Sequence, residues 1–492
     1  MKTKLYILLL TLSAFAIFPS LWAQDVATLS QTDITGTARF VGMAGAMTAV
    51  GGDPTSVMVN NPAGLGVYRR LETSITLDLQ IDRTWQQGVQ QREAANYFIP
   101  NQASLVFHFG GGSNSRIMSH NLFIGYQRLK NYKRQYSANS TVNASVTDIM
   151  AGMANKGGVV EDDFFAPDGS FADDVWYNEN IGWLPALGRA VDMIRWDAVT
   201  PGSPDSMYFG TPVSPDVKQG ITVKETGYTN QYSFDYALNI DDRWYFGLGL
   251  NLISFKYSKE MVLDETYLTD NSWMVVNSYC DFSGVGVSGS FGFLGRPTRW
   301  LRLGFALHTP SAVTLKIRHG GEADSWFNNT TSYYMSTGEN TFTDYDFKLP
   351  LRASAGLAFQ FNNRGLLSFQ YDYTNGKEGM QSRHCLRVGG ECVLAEKLYL
   401  NAGYAYESEF TKKAYYNALP YNDVRTDTDF FNLCGSNTAS VGFGYRGRYL
   451  IAQAAYSLRW QKLNMFPFDS EDYYYNMRTR THRVVFTFAF HL

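Results

Sequence analysis

From residue 73 to its end, the chain alternates apolar and polar side chains in one segment after another. One such segment has an apolar row that consists of Trp244, Phe246, Leu248, Leu250 and Leu252. The last segment, which ends at Leu492, carries a similar row from Val484 onward. Because successive side chains of a β-strand point to opposite faces, a period of two predicts many strands, each with one apolar face.

The connections between these segments alternate in length. We predict short turns near residues 110–119, 241–242, 294–298, 362–364, 395–396 and 446–448. Long polar connections are predicted near residues 86–101, 131–228, 258–277, 319–341, 375–381, 410–436 and 462–480. Transmembrane barrels have this pattern, and a closed barrel also satisfies every backbone group in lipid. The sequence therefore predicts an all-β fold, a transmembrane antiparallel β-barrel of about 14 strands with both termini on the short-turn side; a secreted sandwich is the alternative.

The composition is that of a strand-rich chain without spanning helices. Aromatic residues make up 15% of the chain, and there are 44 Gly. After residue 23, no apolar run approaches the roughly 20 residues of a spanning helix. The net charge of −3 offers no basic surface for nucleic acid. The 4 Cys and 7 His do not cluster with metal-ligand spacing, so we expect neither a metal nor a cofactor.

Residues 1–23 have the pattern of a cleaved secretory signal peptide. Lys2 and Lys4 precede an apolar run over residues 5–18, and Ala23 ends the pattern. A membrane anchor is the alternative, but the run is shorter than the roughly 20 residues that such a helix needs. Together with the barrel pattern, the signal predicts a monomer in the outer membrane of a Gram-negative bacterium. The expected partners there are outer-membrane lipid, lipopolysaccharide and the barrel assembly machinery.

Residues 24–72 do not alternate and precede the barrel region, which we place at 73–492. Two sets of turn-forming residues punctuate this segment: Gly51, Gly52, Asp53 and Pro54, then Asn61, Pro62, Ala63 and Gly64. Two tight turns in short order compact a chain, which favours a plug inside the lumen over a loose periplasmic segment. We expect the second turn to pass close to small lumenal residues, namely Gly247, Gly249 and Gly304.

At these residues the sequence resembles the FadL family of outer-membrane transporters for hydrophobic compounds. The resemblance lies in 36–39 (Gly-Thr-Ala-Arg), 42–46 (Gly-Met-Ala-Gly-Ala), 51–54 and 61–65 (Asn-Pro-Ala-Gly-Leu). It implies that the N-terminal segment is a hatch that closes the lumen and that substrate leaves sideways where the third strand kinks. Asn61, Pro62 and Ala63 match the turn of that hatch, and we take Gly125 as the candidate position of the kink.

The resemblance implies a channel for the uptake of hydrophobic small molecules such as long-chain fatty acids. Substrate is captured at outer loops, passes a hatch-gated lumen and exits laterally. Aromatic hydrocarbons and haem are also carried in the family, so the substrate stays open. The alternatives are a barrel enzyme that acts on lipids, a general porin and a haem-binding receptor. The 7 His are scattered, and there is no GxSxG motif. His108 and His308 fall on predicted lumenal faces, where we interpret them as polar lumen residues, so we predict no enzyme.

The long connection 131–228 is predicted to be an extracellular loop with two short helices. One begins at a capping box, Ser145 to Asp148, and the other has Pro185 in its first turn. The apolar residues of this loop include Phe164, Phe165, Trp176, Trp183, Leu184, Leu187, Val191, Ile194 and Trp196. They either pack on each other above the barrel rim or form a groove that first captures an apolar substrate. Acidic runs at 161–163 and 173–174 are either a calcium site or a solvated face.

Overall fold

A computed structural model describes residues 27–491 except 90–92, 112–114, 202, 204, 212–215, 328–331, 338–340, 363, 377–379, 412–419 and 469–472. The predicted signal peptide at 1–23 lies outside the described residues, as do the first residues of the predicted hatch. Strands dominate the described residues, and no described helix is long and apolar enough to cross a membrane.

The elements of the first half of the chain begin with two short helices, α1 (Ala38–Gly42) and α2 (Pro54–Val59), and a 3-10 helix (Pro62–Val67). They are followed by β1 (Glu72–Gln86), β2 (Glu93–Gly110), β3 (Ile117–Asn131) and β4 (Arg134–Val142). Next come α3 (Val146–Lys156), 3-10 helices at Glu161–Asp163 and Asp173–Tyr177, α4 (Trp183–Ala190), β5 (Ile194–Ala198) and β6 (Ser206–Gly210).

The rest of the described chain is made of strands. These are β7 (Val217–Ile240), β8 (Trp244–Tyr267), β9 (Trp273–Gly295), β10 (Leu301–His308), β11 (Ser311–Trp326), β12 (Tyr333–Ser336) and β13 (Thr341–Leu349). They continue with β14 (Arg352–Phe361), β15 (Gly365–Thr374), β16 (Arg383–Ala395), β17 (Leu398–Glu407), β18 (Phe430–Arg446), β19 (Leu450–Phe466) and β20 (Tyr475–His491).

These strands form a closed antiparallel barrel wall. One sheet contains 18 of them, and it closes because β1 pairs with both β2 and β20. The wall has 14 strands, because β3 with β4, β10 with β11, and β12 and β13 with β14 are in each case parts of one wall strand. The predicted all-β antiparallel barrel and its strand number are thus confirmed.

The alternation of the sequence maps onto the two faces of the wall. On β20, Phe486, Phe488 and Phe490 point outward and are each more than 40% exposed, whereas Val485 and Ala489 point inward and are buried. The outward rows of neighbouring strands carry the same large apolar residues. This surface is the lipid-facing band of an outer-membrane barrel.

The wall begins and ends at the same end of the barrel, where Glu72 is opposite His491. The connections between strands at this end are short. The turn between β7 and β8 contains Asp241 and Asp242 at φ of 54° and 57°, a left-handed backbone that Asp tolerates better than most residues. At the opposite end the connections are shorter than predicted, because β7 and β8 continue for 24 residues each. Outward residues there meet water, as in the Lys224–Glu260 ion pair, so these strand ends resemble loops in sequence.

The described residues between β4 and β7 form a helical cap at the outer end of the barrel. Its helix α3 starts after Ser145, whose side chain accepts the N–H of Thr147. The Asp148 carboxylate accepts the Ser145 N–H, which is one half of the predicted capping box. Glu265 of β8 accepts hydrogen bonds from Ser145 Oγ (2.6 Å) and the Val146 N–H (3.0 Å). A wall carboxylate therefore ties the cap helix to the barrel.

Leu187 of α4 is fully buried in the core of the cap. We expect Leu187→Ala to destabilise the cap by about 2–5 kcal/mol, because it leaves a cavity in the buried cluster that packs the cap on the wall, while the hydrogen-bonded ladders of the wall are unchanged. Limited proteolysis of the cap should become faster, while the heat-resistant barrel band on gels persists. Tyr177→Ala is the control, because the Tyr177 side chain is 85% exposed. Loss of the barrel band would contradict this local effect.

Candidate functional site

Residues 27–68 lie inside the wall, and we call them the lumenal segment. Its two helices are capped by linked side chains. Thr37 Oγ1 accepts the N–H of Phe40 at the start of α1 and donates to Asp53 Oδ2 at 2.6 Å. Asp53 in turn accepts the N–H of Ser56 at the start of α2 at 3.0 Å. One buried hydrogen-bonded pair therefore fixes both helix starts.

The two predicted turns pack against each other. Gly51 and Gly52 have φ of +69° and +67°, and the Gly52 N–H donates to the Gly64 carbonyl at 3.1 Å. A Cβ on Gly64 would lie 3.0 Å from Gly51 Cα, so the two backbones touch. Pro54 and Pro62 each occupy the first turn of the helix that follows. The turn residues therefore build one compact unit.

Asn61 joins this unit to the wall. Its Oδ1 accepts the Ala63 N–H at 3.0 Å, which caps the 3-10 helix. Its Nδ2 donates to the carbonyls of Thr48 (2.8 Å) and, on β9, Phe293 (2.9 Å). Asn61 is fully buried, so each of these bonds replaces a lost bond to water.

Inward-facing wall glycines make room for the lumenal segment. They are Gly247, Gly292, Gly304, Gly356, Gly389, Gly403 and Gly442, and we call them the glycine belt. A Cβ on Gly247 would lie 2.3 Å from the Pro62 carbonyl carbon, and one on Gly304 would lie 2.2 Å from the Thr48 oxygen. The expected contacts at Gly247 and Gly304 are present, whereas Gly249 faces Asp235 and Ser290 instead.

Side chains of the wall also pair with the lumenal segment through charge. Arg39 of α1 forms a two-bond ion pair with Glu391 of β16, with Nε–Oε2 at 2.7 Å and Nη2–Oε1 at 3.0 Å. Near the start of the segment, Asp33 contacts Lys130, Arg459 and Arg483. Burial raises the pKa of Asp33, but these three cations together lower it to about 2.

Above this packed layer, the lumen is lined by apolar side chains. They come from β8, β9 and β11 and are Ile253, Phe255, Tyr257, Cys280, Phe282, Val313, Leu315 and Ile317. We call this surface the apolar chamber. Ala27 and Leu29 of the lumenal segment pack into it. A cavity of about 120 Å³ adjoins it, between Leu29, Asn60 and His308.

One seam interrupts the pairing of the wall. The ladder between β2 and β3 ends at Gln102 and Gln127, while β2 continues to pair with β1 as far as Glu93. Pro100 lies in this stretch and has no N–H to donate, as expected of a strand edge. Among the described strands, residues 93–101 of β2 thus pair with β1 alone. We call this interruption the seam.

The lumenal segment lies against the inner side of the seam. Gln127 Nε2 donates to the Thr35 carbonyl at 3.0 Å, and Asn101 Nδ2 donates to Thr35 Oγ1. These two amides belong to the two strands that separate here. A displacement of Thr35 would therefore release the side chains on both borders of the seam.

The irregularity of the third wall strand lies beyond the position expected from the sequence. Gly125 stays in register with its neighbours, and a Cβ there would lie 2.8 Å from Met58 Sδ. The register with β7 shifts between Arg128 and Lys130. Gly125 thus permits close packing of the lumenal segment, and a kink at Gly125 itself stays a prediction.

The apolar residues predicted for outer capture lie mainly within the core of the cap. Phe164, Leu184, Leu187, Val191 and Ile194 are buried in one cluster, on which Phe165, Trp176 and Trp196 pack. Trp183 is also buried, with its ring 6.0 Å from that of Trp176. The arrangement is that of side chains packed on each other; whether they also capture substrate stays a prediction. Trp183 reaches down to the His319 ring, 5.5 Å between centroids, so the cap contacts β11.

The remaining candidate groups are held by structural bonds. His108 Nδ1 lies 2.9 Å from Asn121 Oδ1, and His308 Nε2 lies 3.1 Å from the Asn60 carbonyl. Glu161 pairs with Arg189, and Asp163 accepts the Val160 N–H. Within the described residues, no group of three or more His, Cys, Asp or Glu side chains could hold a metal ion.

Comparisons with known proteins identify the fold. No protein-family model and no curated protein matches the sequence. A FadL homologue of Pseudomonas aeruginosa has the same fold at 13% identity and a TM-score of 0.52, over 93% of this chain and 99% of that one. The toluene transporter TbuX of Ralstonia pickettii matches at 12% identity and 0.51, over 93% and 99%. The monoaromatic hydrocarbon channel CymD matches at 10% identity and 0.51, over 94% and 99%. The resemblance to the FadL family is thus confirmed at the level of the fold.

Two neighbouring glycines of β16 allow a matched test of the glycine belt. A Cβ on Gly389 would lie 2.6 Å from the Met43 carbonyl oxygen, whereas one on Gly390 would have no neighbour closer than 3.7 Å. We expect Gly389→Ala to displace the lumenal segment and to raise ion conductance through single barrels in planar bilayers at least several-fold. Gly390→Ala should keep the conductance of the unmodified protein. Equal conductance of the two variants would contradict a packed contact at Gly389.

Proposed function

We propose that this chain is an outer-membrane channel that takes up hydrophobic small molecules. Substrate enters beneath the cap, passes the apolar chamber and leaves sideways through the seam. The single observation that carries the proposal is the apolar chamber itself. A general porin keeps a polar, water-filled lumen, whereas here inward-facing Phe, Ile, Leu and Val side chains line the wall above the lumenal segment.

The chamber suits an apolar guest because its present occupant is apolar. Leu29 of the lumenal segment is 2% exposed and packs among the chamber side chains. A hydrophobic substrate that displaces Leu29 would exchange one apolar contact for another, so the net cost of opening the chamber is small. In this proposal, residues 27–32 act as a movable part of the hatch, which Asp33 anchors to the wall.

The lumenal segment blocks the direct path to the periplasmic end. Its carbonyls accept hydrogen bonds from the wall on several strands, as at Val50 from Arg302 (2.7 Å) and at Leu65 from Asn121 (2.7 Å). Moving the whole segment would break these bonds together. The seam lies beside Thr35 alone, which accepts the amide bonds of Gln127 and Asn101 on its two borders. We therefore favour lateral exit into the membrane over passage through the segment.

Three arginines near the cavity favour substrates with an acidic end, such as long-chain fatty acids. Arg352, Arg383 and Arg387 line the cavity wall beside the apolar chamber. Arg387 pairs with Asp372 at 2.9 Å, and Arg383 lies over the Phe410 ring at 5.1 Å. An acyl chain in the chamber would place its carboxylate toward these guanidinium groups, which bind carboxylates strongly. Toluene, carried by the similar transporter TbuX, has no such group, so both cargoes need testing.

The chamber can be tested by making one of its walls polar. Leu315→Asn should reduce uptake of labelled oleate and toluene several-fold in cells that lack other transporters, because an amide in the chamber disfavours an apolar guest. Leu315→Ile keeps the apolar surface and should retain uptake. Surface expression and the heat-resistant band confirm equal folding of both variants. Uptake by Leu315→Asn at the unmodified rate would overturn the chamber as the substrate path.

The seam can be locked with a disulfide. Gln102 and Gln127 are directly opposite at the last rung of the β2–β3 ladder. Oxidation of a Gln102→Cys/Gln127→Cys variant should lower uptake at least fivefold, and reduction should restore it. Tyr371→Cys/Leu386→Cys joins a directly opposite, lipid-facing pair elsewhere in the wall and serves as the control. If uptake is unchanged in the oxidised seam variant, substrate does not leave through the seam.

A further inference from the structure

Four cationic side chains gather on the outward face of three adjacent wall strands. They are Arg83 on β1, Arg478 and Arg480 on β20, and Lys462 on β19, and we call them the outer basic patch. Arg83 is directly opposite Arg480, and Lys462 is directly opposite Arg478. Arg83, Arg480 and Lys462 are exposed, and Arg478 is half-buried.

Among the described residues, this arrangement places like charges together without an ion-pair partner. Directly opposite residues of an antiparallel pair have Cα atoms about 4.5–5.5 Å apart, and like charges there destabilise the sheet. Within the described part of the chain, none of the four forms an ion pair or a side-chain hydrogen bond. The Arg478 Nε is buried without a hydrogen-bond partner. Such a patch is stabilised when an anion from outside the chain binds to it.

Two outward cations on the opposite wall are arranged differently. Lys224 pairs with Glu260 at 3.1 Å, and Arg318 pairs with Asp281 across β11 and β9. Those charges are neutralised within the chain. The outer basic patch thus differs from these two ion pairs in having no carboxylate beside it among the described residues.

The patch also lies at a defined height on the barrel. The outward row of β20 is apolar from Val484 to Phe490, and Arg480 is ten residues from Phe490. Each residue of a strand advances by about 3.3 Å, and the strands of such barrels are tilted by about 40° from the barrel axis. Ten residues therefore place the patch roughly 25 Å above Phe490, which equals the height of the lipid-facing band. Trp85 and Trp460 flank it, with the Arg480 guanidinium 5.5 Å from the Trp85 ring centroid. Lipid headgroups occupy this height.

We propose that the outer basic patch binds the phosphate groups of the phosphorylated glycolipid of the outer leaflet. Arginine side chains bind phosphate with two parallel hydrogen bonds, and three of the four cations are arginines. The two tryptophans would contact the acyl and sugar boundary of the same molecule. This site is on the outside of the wall and is separate from the path of transport.

The proposal can be tested with the purified full-length protein in detergent. We would add diphosphorylated lipid A, or the same lipid with its phosphates removed, and count bound lipid by native mass spectrometry. The test variant carries Arg83→Gln, Lys462→Gln, Arg478→Gln and Arg480→Gln. The control variant removes the same number of outward cations from the opposite wall, through Lys224→Gln, Lys256→Gln, Lys316→Gln and Arg318→Gln. Heat-resistant mobility on gels establishes that each variant is folded.

We expect the unmodified protein and the control variant to retain phosphorylated lipid A at least tenfold better than the dephosphorylated form. The test variant should lose this preference. Equal retention by the test and control variants would overturn the proposal, because general adhesion would then explain binding. Displacement of the lipid by inorganic phosphate at equal concentration would also overturn it, because the site would then recognise free phosphate and not the glycolipid.

Discussion

The hydrogen-bonded ladder between the first and last wall strands is the constraint on which the rest of the molecule depends. β1 pairs with β20 over its whole length, from Glu72 opposite His491 to Gln86 opposite Met477. Without this closure, strand edges would expose unpaired backbone groups to lipid, where each costs several kcal/mol. Closure in turn creates an interior that has to be filled, and the filling determines whether and where a molecule can pass.

The interior is filled by two complementary means. Where the wall carries glycine, the backbone of the lumenal segment comes into direct contact with it. Where the wall carries Asn, Gln or Arg, side-chain donors reach the carbonyls of the segment, as Gln231 reaches Met58 at 3.1 Å. Small residues thus set the distance, and polar residues satisfy the buried backbone. Above this layer the wall becomes apolar, which separates a sealed region from a region able to hold a hydrophobic guest.

The wall and the two turns could be predicted from the sequence because both have local signals. The alternation of apolar and polar residues predicts the strands, and the Gly and Pro residues of 51–64 indicate a compact segment. The sequence predicts loops at the outer ends of β7 and β8, because both faces of these strands are partly polar there. The seam has one local signal in the sequence, which is Pro100 within a strand. That β2 separates here from β3 and stays paired with β1 is known only from the register of the strands. The sequence predicts close contacts of the lumenal segment at Gly247, Gly249 and Gly304, and the structure has those at Gly247 and Gly304. Gly249 instead makes room for the side chains of Asp235 and Ser290 on the wall.

The contacts of the lumenal segment constrain the order in which the molecule folds. The segment is synthesised before the wall, yet its partners extend to the last strand: the Ala38 N–H donates to Thr487 Oγ1 at 2.8 Å, across 449 residues of sequence. Contacts of such separation form late, because the intervening chain has to be ordered first. Docking of the segment therefore completes only as the final strand closes the wall. A barrel assembled in this way is sealed from the moment that it is complete.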